Sequence, residues 1–211
     1  NWISSNNTLR NIVANNNLYG ISFNTESSQN NLTNITTSFN NIGIVLTRDC
    51  NYNNISNSIF QNNSDSGLYL ENFIGDIPEN NTIWNCFFNN SGTNGNIGFS
   101  GDYMNFWNIS NQTGTRIHGN GNYVGGNYYT NSTGNGFSDE CLDSGNDGFC
   151  DQVYDVYNDT WCEPGVNCSS SVDYLPLSDE YDSGPLMYWD NSTNSTYANQ
   201  PVEFRLRWND S

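Results

Sequence analysis

Acidic residues in the second half of the chain follow a spacing that suits a hard cation. Residues 143–151 read DSGNDGFCD, with aspartates at the first, fifth and ninth places and Gly148 at the sixth. Ca²⁺ takes about six to eight oxygen ligands, and glycine permits the tight turn of such a loop. Gly145 stands where a further ligand is expected, so Asp139, Glu140 or Asp155, or water, would replace it. The predicted calcium ligands are Asp139, Asp143, Asp147, Phe149 through its carbonyl, Asp151 and Asp155. A metal-free acidic loop is the alternative.

Cysteines frame this acidic loop. Cys141 and Cys150 flank it, and Cys162 and Cys168 bracket the next short segment, so we expect local disulfides 141–150 and 162–168. Zinc would need closer Cys spacing or nearby His, and neither occurs in the sequence. The two remaining cysteines, Cys50 and Cys86, are left without an assigned pairing. An even count of six indicates an oxidising compartment.

The elements that must position the loop lie before it, where one short pattern recurs. An Asn pair is followed by Gly, an apolar residue, any residue and another apolar residue. The instances begin at Gly20, Gly43, Gly67 and, more loosely, Asn96. Their spacings of 23, 24 and 29 residues are typical of a stacked repeat. Short alternating segments with Asn and Gly corners predict an all-β chain, a right-handed parallel β-helix or solenoid in which corner Asn side chains stack.

The net charge of the chain limits the classes of partner that it can bind. The chain has 5 Arg, no Lys and 22 acidic residues, which gives a net charge of −17. Nucleic acid is excluded because phosphate binding needs clustered cations, and anionic membrane surfaces are disfavoured for the same reason. The sequence holds neither a signal peptide nor an apolar span for membrane insertion, and it opens within the repeat, so we expect it to lie within a longer precursor.

Asn-x-Ser/Thr sequons are spread along the whole chain. Their number and distribution predict N-linked glycans and a location outside the cell or at its surface. The sequons begin at Asn6, Asn31, Asn34, Asn54, Asn62, Asn80, Asn89, Asn108, Asn111, Asn131, Asn158, Asn167, Asn191, Asn194 and Asn209.

Three regions follow from these patterns. Residues 1–130 are predicted to form the coils, and residues 131–183 a cysteine-containing acidic cap. Residues 184–211 are predicted to be a linker and a trailing β-strand, because Pro201–Trp208 alternate with period two. That strand looks like the start of an immunoglobulin-like domain, or a strand donated to a neighbouring subunit.

The end of the coils resembles a known family. Residues 126–129 (GNYY), the acidic loop, and residues 172–177 (VDYLPL) are similar to the C-terminal end of NosD-like β-helix proteins. Tyr129 stands where that family has Trp, and Leu175 precedes the closing Pro. The resemblance implies a right-handed β-helix of periplasmic or archaeal-type cell-surface proteins, with a calcium-type loop. Copper handling, which the NosD name implies, is unsupported by two Met and one His.

Three functions remain. We expect an extracellular structural or adhesive protein, a building block of a cell-surface layer (S-layer) or filament, which associates with itself or with neighbouring surface subunits. A carbohydrate-binding protein is the alternative, through exposed aromatics such as Tyr69, Trp84, Tyr103 and Trp107. A polysaccharide-degrading enzyme is not expected, because the coils contain no Lys and their acidic residues do not recur at one coil position.

Overall fold

The structure is a computed structural model. It describes residues 4–119, 121–162 and 169–179, without the side chains of residues 160–162. These residues belong to one compact unit, Asn1–Tyr181. Several predictions lie outside the described residues: the trailing strand Pro201–Trp208, the disulfide between Cys162 and Cys168, and the sequons at Asn167, Asn191, Asn194 and Asn209.

The regular secondary structure of the described residues is almost all β-strand. Its strands, in chain order, are β1 (Thr8–Asn15), β2 (Tyr19–Phe23), β3 (Asn31–Ser38), β4 (Ile42–Thr47), β5 (Asn54–Ser56), β6 (Ile59–Gln61), β7 (Ser66–Glu71), β8 (Thr82–Trp84), β9 (Phe87–Asn89), β10 (Ile97–Phe99), β11 (Gln112–Thr113), β12 (Tyr123–Val124), β13 (Tyr128–Thr130), β14 (Val153–Asp155), β15 (Thr160–Cys162) and β16 (Val172–Asp173). A single turn of helix, α1 (Phe137–Glu140), lies between β13 and β14.

Two parallel sheets hold the repeats together. One contains β1, β3, β5, β6, β8, β9 and β13, and the other runs β10-β7-β4-β2. Ile12 pairs with Ile35, 23 residues later, and Ile44 pairs with Leu68, 24 residues later. The chain therefore returns to equivalent positions once per repeat, as in a β-helix. The prediction of an all-β chain with parallel sheets is confirmed.

Apolar side chains of equivalent positions stack inside these coils. Leu32, Ile55 and Ile83 pair in register and are fully buried. Phe60 stacks on Phe88 with ring centroids 4.8 Å apart, and Phe88 stacks on Tyr129 at 5.6 Å. In-register pairing thus converts a sequence repeat into continuous columns of core residues, whose burial is the main stabilising contribution.

Two corners of the coil are lined by asparagines, most of which are buried. At each step but one, the backbone N–H of one Asn donates to the Oδ1 atom of the Asn in the next coil; the exception is Asn90, which donates to Asn96, six residues later in the chain. Asn53, for example, donates to Asn81 Oδ1 from its backbone N at 2.9 Å and from Nδ2 at 3.0 Å. The first ladder is Asn7, Asn30, Asn53, Asn81 and Asn105, and the second is Asn17, Asn40, Asn63, Asn90 and Asn96. Backbone groups that a sharp corner would otherwise leave unpaired are satisfied in this way.

The recurring glycine is explained by the close approach of successive coils. A Cβ atom added at Gly43 would overlap the carbonyl oxygen of Gly67 and the hydroxyl of Thr37. A Cβ atom at Gly20 would likewise meet the carbonyl of Gly43. Glycine is therefore required where one coil lies directly over the next.

The stack changes character after β10. The sequence predicts coils up to residue 130, but residues 102–129 follow the coil pattern only in part. They make a parallel bridge between Phe106 and Thr82, but β11 and β12 then pair with each other antiparallel before β13 rejoins the larger sheet. Beyond β13, α1 and the antiparallel sheet β15-β14-β16 close this end.

Candidate functional site

Asp143 is the centre of the acidic loop. It is buried, and its carboxylate accepts hydrogen bonds from the backbone N–H of Asp147 at 3.1 Å and of Gly148 at 2.8 Å. The hydroxyl of Ser178 donates to the same carboxylate at 3.1 Å. The loop is thus folded around this side chain and joined to the chain segment that follows β16.

In each of the other two loop aspartates, Asp147 and Asp151, one carboxylate oxygen accepts hydrogen bonds. Asp147 Oδ1 accepts from the backbone N–H of Phe149 at 3.0 Å. Asp151 Oδ2 accepts from the backbone N–H of Ser144 at 3.1 Å and from its hydroxyl at 2.6 Å. Both aspartates are exposed, and the second oxygen of each has no hydrogen bond within the described residues.

The two supplementary ligands proposed from the sequence have other partners. Asp139, in α1, accepts from the hydroxyl of Tyr128 at 2.7 Å and from the backbone N–H of Gly136 at 2.7 Å. Asp155, in β14, accepts from Ser169 and Asn158. Burial raises the pKa of Asp155, but those hydrogen bonds outweigh it and hold the pKa below its ordinary value.

The structure therefore does not bring the six predicted calcium ligands together. Within the described residues, no group of three or more His, Cys, Asp or Glu side chains is placed to hold a metal ion. Hydrogen bonds offset the negative charge of the Asp143 and Asp155 carboxylates. Calcium at the loop of residues 143–151 stays a prediction.

One disulfide closes the loop. Cys141 and Cys150 are bonded, with Cα atoms 5.5 Å apart, as their spacing predicts. Cys50 and Cys86 are free, buried thiols. Burial raises the pKa of Cys86 to about 12, and it also raises the pKa of Cys50. Both are therefore protonated at neutral pH, and neither is a nucleophile or a metal-binding thiolate in this state.

A buried carboxylate that the sequence reasoning missed joins the cap to the coils. Asp173 is 0% exposed, and its carboxylate accepts hydrogen bonds from Asn127, from Tyr129 Oη at 3.0 Å and from the backbone N–H of Leu175 at 3.0 Å. Burial raises its pKa to about 7, although these hydrogen bonds act in the opposite direction. A Cβ atom at Gly126 would collide with this carboxylate, so the GNYY and VDYLPL motifs are two sides of one contact.

A continuous depression, here called the cap groove, runs between the coils and the cap. It consists of two adjoining hollows of about 670 Å³ and about 460 Å³. Gly95, Asn96, Tyr154 and Asp159 line both. The first hollow extends along residues 92–99, and the second reaches α1.

The aromatic residues expected to bind sugar are arranged differently from the prediction. Trp107 is 0% exposed and Tyr103 is also buried, so both are core residues and offer no platform for a ligand. The Trp84 indole N–H donates to Asn54 Oδ1 at 3.0 Å, and Tyr69 is half-buried. Tyr157, which the sequence reasoning did not single out, lies instead in the cap groove.

The structure describes eleven of the sequon asparagines. None of them is buried, although six are only partly exposed and the Asn89 Oδ1 atom is buried. The side chains of Asn6, Asn62 and Asn111 are exposed, whereas the Nδ2 atom of Asn54 donates to Asn31 Oδ1 at 3.0 Å. Exposure is what attachment of a glycan requires, and glycosylation itself stays a prediction.

A comparison with models of protein families shows to which family this chain belongs. Residues 3–134 match the family model described as periplasmic copper-binding protein (NosD). The chain belongs to the NosD family. The match spans the parallel strands from β1 to β13, and the family description, that of a periplasmic protein, agrees with a location in the cell envelope or outside the cell. Neither the comparison with curated proteins nor that with solved structures gave a match.

The copper named in the NosD description does not fit the residues present. Copper sites use imidazole, thiolate and thioether donors. His118 packs against Phe87 and Tyr128 and lies 3.7 Å from Asp179, while the thiol of Cys86 donates to backbone carbonyls. The described residues form no metal-binding group, so no copper chemistry is derived for them. They also form no helix that could span a bilayer.

Proposed function

We propose that this chain is an extracellular structural segment: a glycosylated, right-handed β-helical solenoid that builds a cell-surface layer or filament. The observation that carries the proposal is the pair of asparagine ladders. Each ladder links five asparagines through successive backbone-to-side-chain hydrogen bonds. Parallel strands, stacked aromatics and these ladders all join the same coils, so the coils are expected to move as one stiff body.

Association with further copies of the chain or with neighbouring surface subunits belongs to the same proposal. It is supported by apolar side chains that the coils expose to solvent: Val13 is 68% exposed, Leu18 65% and Phe39 62%. Contact with another protein surface would remove these side chains from water, which is favourable.

The chemistry of the surface favours a location outside the cytoplasm. None of the described sequon asparagines is buried, a disulfide closes the acidic loop, and the family description is periplasmic. A net charge of −17 without any Lys keeps such a surface solvated. Catalysis is not part of the proposal.

Negative-stain electron microscopy of the purified full chain, combined with sedimentation, tests the proposal. We expect ordered assemblies, and we expect substitution of exposed apolar residues at the first coil, such as Leu18→Asp, to reduce them. Tyr52→Asp, at an exposed position away from β1 and β2, is the matched control. A chain that stays monomeric and shortens a polysaccharide would overturn the structural role.

A further inference from the structure

We propose that the cap groove is a binding site for a neutral saccharide. This inference goes beyond the structural role and does not depend on it, because it rests on the cap rather than on stacking of the coils. The two hollows that form the groove, about 670 Å³ and about 460 Å³, fall within the size range of small-ligand sites.

The first hollow contains an aromatic surface held in place by the core. Tyr157 is 39% exposed, and its ring contacts that of Phe99 edge to face, with centroids 5.3 Å apart. Phe99 in turn packs edge to face on the buried Trp107 at 6.0 Å. A half-exposed ring with a fixed orientation suits the apolar C–H face of a sugar, since aromatic side chains contribute a large contact area with little loss of conformational freedom.

Carboxamide and carboxylate groups border the same space. Asn94 and Asn158 line the first hollow, and Asn131 and Glu140 line the second. These groups accept and donate the hydrogen bonds that sugar hydroxyls require. The ligand is thus expected to present an apolar face to Tyr157 and hydroxyl groups to the rim.

The centre of the groove has a carboxylate in a defined position. Asp159 lines both hollows, and its carboxylate accepts a hydrogen bond from the hydroxyl of Tyr154. Tyr154 is buried and packs on Tyr129 at 4.3 Å and on Phe137 at 4.7 Å, which fixes the direction of that hydrogen bond. Asp159 is therefore placed to accept a hydrogen bond from a sugar hydroxyl where the two hollows meet.

Charge selects among saccharides. The described lining residues include Asp159 and Glu140 but no Arg, Lys or His. Uronic acids and sulfated sugars would bring further negative charge into this space without a cation to pair with, which is unfavourable. The site is accordingly assigned to neutral sugars. Asn131 and Asn158 are themselves sequon residues at the rim, so a glycan on either would restrict entry.

The test uses the full chain, made in a host without N-glycosylation and with its disulfides oxidised. Mannotriose, cellotriose and chitotriose are the neutral probes, trigalacturonate is the acidic probe, and binding is measured by titration calorimetry and saturation-transfer NMR. We expect at least one neutral probe to bind with a dissociation constant on the order of 1 mM or tighter. Trigalacturonate is expected to bind more weakly than that probe.

Substitutions inside and outside the cap groove show where the saccharide binds. Tyr157→Ala is expected to weaken it about tenfold or more, and Tyr157→Phe, which keeps the ring, to restore most of it. Tyr52→Ala, at a tyrosine 62% exposed and outside the groove, is expected to bind like the unchanged chain. Melting curves confirm that each variant folds. Lack of binding by all three neutral probes, stronger binding of trigalacturonate, or unchanged binding by Tyr157→Ala would overturn the proposal.

Discussion

Asn127 and Asp173 are 46 residues apart in the sequence, yet the backbone N–H of Asn127 donates to Asp173 Oδ2 at 2.8 Å in the fully buried interior. The Asn127 side chain also donates to the carbonyls of Ile83 and Trp107. One residue before β13 thus contacts the coils on one side and β16 on the other. This contact explains how a small antiparallel sheet is joined to a stack of parallel strands, because it pairs the buried N–H of Asn127 and the carbonyls of Ile83 and Trp107.

Stability should depend on pH through Asp173. Its pKa is about 7 in the folded chain, above the ordinary value of 3.8, so the folded state binds the proton more tightly than the unfolded state. The resulting stabilisation is complete below the unfolded pKa and is lost as the pH rises through about 7. We expect a higher urea midpoint at about pH 5 than at about pH 8 from this group.

Asp173→Asn isolates that contribution, because its side chain stays neutral at both pH values. Other titrating groups, such as Asp155 with its lowered pKa, remain in both proteins and cancel in the comparison. The Asp173→Asn variant is expected to be less stable than the unchanged chain at both pH values. It should also lack the increase in stability that Asp173 contributes when the pH is lowered from about 8 to about 5. Equal pH dependence in the two proteins would refute the assignment to Asp173.

The asparagine ladders should be a major source of stability. Asn53 is 1% exposed, its Oδ1 accepts from the backbone N–H of Asn30 at 2.9 Å, and its amide donates to Asn81. Asn53→Ala leaves buried groups of both neighbours unpaired, so we expect a loss of about 2–4 kcal/mol in the free energy of unfolding. Urea denaturation measures it. Asn111→Ala, at an exposed asparagine, serves as the control and should change stability by less than about 0.5 kcal/mol. Equal effects of the two substitutions would argue against a structural ladder.

Thiol titration checks the cysteine assignments. Of six cysteines, four are assigned to the pairs 141–150 and 162–168, which leaves Cys50 and Cys86. Both are buried and protonated, so neither should react with a thiol reagent in the folded chain. In denaturant without reductant we expect two reactive thiols. Four would show that Cys162 and Cys168 are unpaired, and reaction in the folded state would contradict the burial of Cys50 and Cys86.

Calcium at the acidic loop is tested by chelation. Within the part of the chain that the structure describes, Asp147 and Asp151 each retain one carboxylate oxygen without a hydrogen bond, and such oxygens are suitable ligands for Ca²⁺. If the sequence prediction holds, calcium should raise the melting temperature, chelator should lower it, and Asp147→Asn with Asp151→Asn should abolish the difference. Identical melting curves, with no metal found by elemental analysis, would show that the disulfide and hydrogen bonds hold the loop alone.

The sequence predicted the coils well because their determinants are local and repeated. Gly43, for instance, must be glycine because the next coil lies directly against it, and the same requirement recurs one repeat away at Gly20. The alternation of Ile and Asn within each repeat likewise shows which side chains face inwards.

The cap was predicted less well, because its contacts join residues that the sequence separates widely. Nothing near Asp173 in the sequence reveals that Asn127 and Tyr129 surround it. Trp107 and Tyr103 could not be distinguished from surface aromatics, because the bridge between Phe106 and Thr82 that orients them is not part of the repeat. The aspartates of the acidic loop have the spacing that a calcium-binding loop requires. The sequence could not show that the carboxylates of Asp139 and Asp155 accept hydrogen bonds from other residues instead.

The central claim is that the chain is a structural element of a surface assembly. Cryo-electron microscopy of the native cell surface, with the chain located by a specific antibody, tests it most directly. If the chain has this structural role, we expect the label to follow a layer or filament in which rod-shaped densities repeat regularly. Label on dispersed single molecules, with no ordered assembly on the cells or in material shed from them, would contradict it.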